Sequence, residues 1–325
     1  MHKVLVTGGA GFIGSHLVEE LVKKGFKVVV IDNLSTGSIK NLSHVINKIS
    51  FYEDDICSSK IFKYFNQINY VFHLAALADI VPSINDPKKY FNANVCGTEN
   101  VLNICLKKKI NKFIYAASSS CYGIPNNLPT SENDKIDTRY PYALTKWMGE
   151  QLTMHYGNVY KIPVVSLRLF NVYGNRSRTS GAYGAVFGVF LKQKLEKKPF
   201  TVVGSGNQKR DFTFISDVVS AFVAAMKVNI KQKIYNVGSG RTVSINKIVK
   251  ILNGKVIYIP KRPGEPDCTF ANIKKIKKEL KWNPKIRIEE GVKKMLENIN
   301  YWKQAPLWTP KSISNATKMW FKYLK

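Results

Sequence analysis

Acidic side chains are scarce in this chain of 325 residues: 22 Asp and Glu stand against 50 Lys and Arg, a formal charge of +28. A surplus of that size points first to nucleic acid or an acidic surface. The lysines, however, run through the whole sequence in short groups, among them Lys23-Lys24, Lys107-Lys108-Lys109, Lys197-Lys198, Lys274-Lys275 and Lys277-Lys278. No basic arm and no basic stretch interleaved with aromatics goes with them, so nucleic acid is not the expected partner. The charge reads as a lysine-rich surface that would favour an anionic small molecule. Cysteine is equally sparse. Cys57, Cys96, Cys105, Cys121 and Cys268 are odd in number and lack Cys-x-x-Cys spacing, which argues against a zinc or disulfide framework and for reduced thiols in a cytoplasm. No stretch approaches the roughly 18 apolar residues of a membrane span, and no charged leader with an apolar stretch precedes the first strand. A membrane partner and a metal are therefore not expected. What remains is a globular chain, 45% apolar, long enough for one large domain or two lobes.

The first strong pattern stands at the start. Lys3-Val-Leu-Val-Thr7 predicts a buried strand, Gly8-Gly9-Ala10-Gly11-Phe12-Ile13-Gly14 a glycine-rich turn, and the amphipathic stretch to about Lys24 a helix. A second strand, Lys27-Val-Val-Val-Ile-Asp32, ends in an acid. Strand, turn, helix, strand and acid form a dinucleotide-binding unit, because glycines let the backbone approach a pyrophosphate and the helix N-terminus supplies donors and positive potential. Asp32 can accept from a ribose 2′-hydroxyl and would repel a 2′-phosphate, which favours NAD over NADP.

The alternation continues with strands at Ile49–Tyr52 and Tyr70–Ala76, a helix from about Asn94 to Lys109, and a strand Lys112–Ala117 that delivers Ser118 at its carboxyl end. Carboxyl ends of parallel strands are where doubly wound α/β folds place ligands. Downstream, Tyr142 and Lys146 are four apart and so share a helix face. A lysine ammonium there would lower the phenol's pKa from its ordinary value of about 10 and make Tyr142 a general base.

Gly8, Gly11 and Gly14, Asp32, Asp55-Ile56, His73-Leu74-Ala75-Ala76, Asn94-Val95, Ser118 and Tyr142-x-x-x-Lys146 together resemble the extended short-chain dehydrogenase/reductases. Within that family the chain looks most like nucleotide-sugar 4-epimerases of the UDP-glucose 4-epimerase type, over roughly residues 3 to 300. The resemblance implies a doubly wound (Rossmann) NAD-binding domain over 1–170, with returning segments at about 212–240. A smaller α/β lobe over 171–211 and 241–300 would bind the sugar nucleotide, and 301–325 is an extension without assignment. It implies Ser118, Tyr142 and Lys146 as catalytic residues. Cofactor contacts would come from Gly8, Gly11, Phe12, Ile13, Gly14, Asp32, Asn33, Asp55, Ile56, Leu74, Ala75, Ala76 and Asn94, with Tyr142 and Lys146. The segment Asn171-Val-Tyr-Gly174 resembles one whose Asn contacts substrate phosphates, Arg210 and Arg262 fall on loops that bind diphosphate, and Glu265 falls near the nucleotide ribose. A helix from Tyr183 to Lys194 would meet the base with its first turn. Homodimerisation is implied through helices such as Asn94–Lys109 and Ala143–Tyr156.

Within such a family, absent residues separate the chemistries. Sugar-nucleotide 4,6-dehydratases carry Asp-Glu directly after the serine or threonine, and the related decarboxylases a Glu at the second of those positions. Here Ser119 and Ser120 stand there as substrate-side residues, which disfavours both reactions and leaves C4 epimerisation of a UDP-sugar. Thr269 falls where glucose-restricted epimerases carry a bulky Tyr beside the sugar's C2 substituent, so room for an N-acetyl group is expected. A uronic-acid 4-epimerase is an alternative within the class; a non-catalytic NAD-binding or RNA-associated protein is one outside it. Two smaller expectations concern caps and packing: Ser216 or Asp217 as a helix cap, and Trp320, Phe321 and Leu324 as a stripe docked on the body or on a second subunit.

Overall fold

Unbroken β-branched runs such as Val28-Val29-Val30-Ile31 have no polar face to show to water, so they suit a sheet covered on both sides. The computed structural model, which describes residues 2–177, 186–229 and 232–324, builds such a sheet. Its strands are β1 (Lys3–Thr7), β2 (Lys27–Asp32), β3 (Ile49–Glu53), β4 (Tyr70–His73), β5 (Lys112–Ser118) and β6 (Val164–Leu169), with a seventh at Lys233–Val237. The order across the sheet is Lys233–Val237, β6, β5, β4, β1, β2, β3, all parallel. The expected doubly wound α/β fold is present, and the strand order reverses between β1 and β4, where such sheets open a crevice at their carboxyl ends.

Helices cover both faces. Phe12–Lys23 and Ile215–Lys227 lie side by side on one, where Leu17, Val18 and Phe222 join one core cluster. Gly97–Lys108 and Pro141–Tyr160 pair on the other, where Val101, Leu102 and Tyr156 join a second. Lys112, buried at the start of β5, reaches the carboxyl end of the helix Ile215–Lys227 and donates to the carbonyls of Ala225, Met226 and Val228. Those carbonyls have no partner within the helix, so the lysine closes an end that would otherwise be unsatisfied.

Beyond β6 the chain builds three two-stranded pieces. Val172–Tyr173 pairs with Thr213–Phe214, Lys209–Arg210 with Val243–Ser244, and Phe200–Val203 with Val256–Ile259. Asp211 ties these together: its buried carboxylate accepts from the backbone of Ser239, Gly240 and Ala271 and from the Ser239 hydroxyl. Burial lifts its pKa to about 6 against those donors.

Several expected boundaries shift. The strand Tyr70–Ala76 ends at His73, because Leu74–Ala76 leaves the sheet to wall the crevice. The helix expected from Asn94 begins as a π-helical turn, Asn92–Cys96, before continuing as Gly97–Lys108. Neither Ser216 nor Asp217 caps its helix, whose N-cap position is Phe214; the Asp217 carboxylate instead accepts the N–H groups of Lys285 and Ile286. The start of the helix expected at Tyr183 lies outside the described residues; Val186–Leu195 is helical. The last helix runs Pro310–Tyr323 behind a Thr309–Ser312 capping box, with Ile313, Thr317 and Trp320 buried and Phe321 and Leu324 only half-buried. No helix among the described residues is long and apolar enough to cross a membrane, and no group of three or more His, Cys, Asp or Glu among them could hold a metal ion.

Candidate active site

The crevice at the strand-order reversal is a cavity of about 630 Å³, within the usual range of ligand sites. Gly8, Gly11, Phe12, Ile13, Gly14, Asp32, Asn33, Asp55, Ile56, Leu74, Ala75 and Ala76 all line it. The turn is drawn tight by glycine. Gly8 has φ +70°, and a Cβ there would stand 2.6 Å from the Ala75 nitrogen; a Cβ on Gly14 would overlap the Gly8 carbonyl oxygen. Gly14→Ala therefore forces the helix Phe12–Lys23 off the turn at about 1–3 kcal/mol of overpacking, and NAD affinity measured by calorimetry is expected to fall at least about tenfold.

Asp32 is buried, with its carboxylate accepting the N–H groups of Ala10 (2.9 Å) and Leu34 (2.8 Å), which fixes the glycine turn to the end of β2. Burial raises its pKa, opposed by those same donors. Ser35, Thr36, Lys89 and Asn92 also line the cavity and were not expected. The first two follow the acid in a polar loop, a signal present in the sequence; Lys89 and Asn92 arrive only because the chain between β4 and Gly97 folds over the crevice. Asn94, expected among the cofactor residues, has its side chain turned into the protein. It is fully buried, its amide oxygen accepts the Leu77 N–H (2.8 Å), and its amide nitrogen donates to the Leu77 carbonyl and the Thr145 hydroxyl (both 3.0 Å). Its side chain is spent on holding the cavity wall to the helix Pro141–Tyr160.

That helix carries Tyr142 and Lys146 past the end of β5, where Ser118 is buried with its hydroxyl beside the Tyr142 phenol. Ser118 Oγ also accepts the Ser120 N–H at 3.2 Å. Lys146 is buried with its Nζ 4.3 Å from the centroid of the Tyr115 ring, and Tyr115 donates back to the Lys146 carbonyl at 3.2 Å. The expected lowering of the phenol is not what the surroundings of Tyr142 produce. Burial pushes the Tyr142 phenol up, with only Ser118 opposing, and draws Lys146 down to about 7 against the charge of Glu150. A lysine drawn so far below its ordinary value brings less positive charge to the phenol than its spacing along the helix implies. A further positive charge is needed beside the phenol.

One turn beyond Lys146, Glu150 forms a buried ion pair with Arg168 of β6 (2.6 Å) and accepts from Ser166 (2.8 Å); Arg168 also donates to the Tyr122 hydroxyl (2.7 Å). Burial pulls the Arg168 pKa down, but Glu150's hydrogen bonds and charge outweigh it and the net movement is up.

Beyond β6, Asn171 donates to the Thr269 hydroxyl (2.8 Å) and to the Asp211 carbonyl (3.2 Å), so two of the expected substrate residues hold each other. Glu265 lies between Arg210 (3.1 Å) and Arg262 (3.2 Å), beside a hollow of about 150 Å³ that Arg210, Lys261 and Glu265 help to line. Ser119 and Ser120 are half-buried, and Ser120 lies beside Tyr140, whose ring lies parallel to that of Tyr142 with centroids 6.4 Å apart. Tyr140 was not expected from sequence. It precedes a Pro-Tyr pair that reads only as a helix start.

The model of the NAD dependent epimerase/dehydratase family matches residues 4–238. The chain belongs to that family. Among solved members, a UDP-N-acetylglucosamine 4-epimerase from Methanobrevibacter ruminantium, in complex with UDP-N-acetylmuramic acid, aligns with a TM-score of 0.87 at 30% identity, over 93% of this chain and 97% of that one. A UDP-glucuronic acid 4-epimerase from Bacillus cereus, in complex with UDP-glucuronic acid and NAD, aligns with a TM-score of 0.86 at 33% identity, over 92% and 99%. A UDP-N-acetyl-alpha-D-glucosaminuronate decarboxylase from Bacillus cytotoxicus is 32% identical over 314 residues, 91% of this chain and 97% of that one. Epimerases and a decarboxylase thus both stand among the relatives of this chain.

Proposed function

We propose that the protein epimerises C4 of a UDP-sugar through a transient 4-keto sugar, with NAD as cofactor. The observation that carries this is Ser118 at the end of β5 beside the Tyr142 phenol and buried Lys146, with Ser119 and Ser120 offering no carboxylate next to them. The residues present fit NAD: the N-terminus of Phe12–Lys23 has no side-chain cap and faces the cavity through Phe12, Ile13 and Gly14, and Asp32 at the end of β2 suits a free ribose 2′-hydroxyl. Asp55, Ile56 and Ala75 would hold the adenosine and pyrophosphate, and Lys146 the nicotinamide ribose. When bound in its oxidised form, NAD supplies a reversible acceptor for the C4 hydride and the positive charge that Tyr142 lacks.

Tyr142 as phenolate takes the 4-hydroxyl proton, Ser118 holds the same oxygen in place, and Lys146 fixes the phenolate's partner geometry. The ketone formed has a trigonal C4, so either face can be presented once the hexose turns in the pocket, and Tyr142 then returns the proton. No second acid is required, which suits the serines at 119 and 120. The segments 171–211 and 241–300 would hold the nucleotide, with Arg210 and Arg262 on the diphosphate, Glu265 on the ribose and Asn171 donating to the phosphates through its amide nitrogen. Thr269 leaves space at C2, which favours UDP-N-acetylglucosamine with UDP-glucose as a second substrate. Incubation with UDP-glucose, UDP-N-acetylglucosamine and UDP-glucuronic acid, followed by NMR, is expected to show the C4-inverted N-acetyl product. Conversion of glucuronic acid alone would establish the uronate reading, supported by the B. cereus relative; carbon dioxide release would make the protein a decarboxylase.

Thr269→Tyr should remove turnover of the acetylated sugar more than that of glucose, and Thr269→Val reports the separate loss of the Asn171 hydrogen bond. Leu144, Val159 and Tyr160 are exposed on the helix Pro141–Tyr160, in keeping with a homodimer through that helix; sedentation at equilibrium of Leu144→Asp as a monomer would support it.

A further inference from the structure

The C-terminal extension, which sequence left without assignment, reaches both walls of the substrate site. It leaves the body at Trp302, fully buried, and its next residues Ala305, Pro306 and Trp308 line the large cavity, with the Trp308 carbonyl held by Gln193 at 2.8 Å. The helix Pro310–Tyr323 then packs beside the helix Ile80–Asn85 and inserts Trp320, which is 2% exposed. Three contacts converge on that indole. Its N–H donates to the Pro263 carbonyl (2.7 Å), the Arg262 guanidinium carbon lies 5.4 Å from its ring centroid, and the Tyr140 ring is 6.1 Å away centroid to centroid.

Arg262 and Pro263 belong to the loop assigned to the diphosphate, whereas the Tyr140 ring lies parallel to that of Tyr142, with centroids 6.4 Å apart. One side chain therefore spans the nucleotide end and the sugar end. A guanidinium placed over an indole is held in position by the ring's quadrupole, a contact that spends none of its N–H donors. Those donors are the groups a diphosphate needs.

We propose that Trp320 is a positioning residue for substrate: it fixes Arg262 for the diphosphate of a nucleotide sugar and braces Tyr140 beside the base. This rests on the reading of the lobe as a UDP-sugar site. The test is binding of UDP by calorimetry to the full-length, NAD-loaded wild type, Trp320→Ala and Trp320→Phe. Trp320→Ala is expected to weaken UDP about tenfold or more and to raise KM for the sugar substrate more than it lowers kcat, with NAD content unchanged; Trp320→Phe, which keeps a ring against Arg262, should recover most of the affinity. In an Arg262→Ala background, Trp320→Ala should add little, because its partner is already gone. Unchanged UDP affinity in a folded, NAD-loaded Trp320→Ala overturns the inference alone, whereas a wild type that binds no UDP overturns the substrate reading with it. Should Trp320→Ala not fold, 5-fluorotryptophan labelling of the wild type, which has five tryptophans, decides: the resonance assigned through Trp320→Phe must move on saturation with UDP, and a fixed resonance refutes the role.

Discussion

Tyr142→Phe is expected to lower kcat for C4 epimerisation by about 100- to 10,000-fold, the range for loss of a general base, with NAD and UDP still bound. The phenyl ring keeps the packing beside Tyr140 and Tyr90, so unfolding should move little. Only the proton-carrying oxygen beside Ser118 is gone. The same variant reports on the ionisation. Burial holds the phenol above its ordinary value in the unloaded protein, so the ultraviolet difference titration of wild type against Tyr142→Phe should show no tyrosinate below about pH 10. Loading with oxidised NAD adds a positive charge and must move that midpoint down. A phenol that titrates near neutrality before loading, or turnover that survives the substitution, contradicts the proposed chemistry.

The largest stability effect is expected one turn further along the same helix. Glu150 and Arg168 are both almost wholly buried, and a buried pair is weak evidence of stability as a pair; removing one partner is costly because the other charge stays in the interior. Glu150→Gln should cost about 3–5 kcal/mol in denaturant unfolding, whereas Ser166→Ala, which removes one hydrogen bond to the same carboxylate, should cost about 1 kcal/mol. Because Glu150 also opposes the fall of the Lys146 pKa, the glutamine variant should carry less charge on Lys146 at neutral pH and lose activity even where it remains folded. A stability within 1 kcal/mol of the wild type would mean that the surroundings, chiefly Tyr122 and the Glu132 carbonyl, satisfy Arg168 on their own.

The cofactor half was legible because its signals are local. Gly8, Gly11 and Gly14 are needed where backbone meets backbone within a few residues, and Asp32 closes a unit whose parts follow one another along the chain. Short buried runs ending in small or polar residues then locate the strand ends, and Ser118, Tyr142 and Lys146 follow from them. The features that sequence did not show share one cause. Asn94 was placed by motif, yet which of its neighbours its amide meets depends on the path of Leu77 and Thr145, which come from separate elements. The raised phenol of Tyr142 likewise depends on how completely Tyr115, Tyr140 and the helix exclude water, a quantity that spacing along one helix does not contain.

Sequence by itself determined the doubly wound sheet, the glycine turn with its acid, and the serine, tyrosine and lysine at the ends of their elements, since each is set by hydrophobic period, backbone freedom or helical spacing. Only the tertiary structure decided that Asn171 and Thr269 hold one another, that Glu265 lies between two arginines, and that Trp320 joins Arg262 to Tyr140. Residues 171 and 269, or 140 and 320, meet because separate segments return to one wall, and such contacts are fixed by packing of the whole chain rather than by any pattern within a segment.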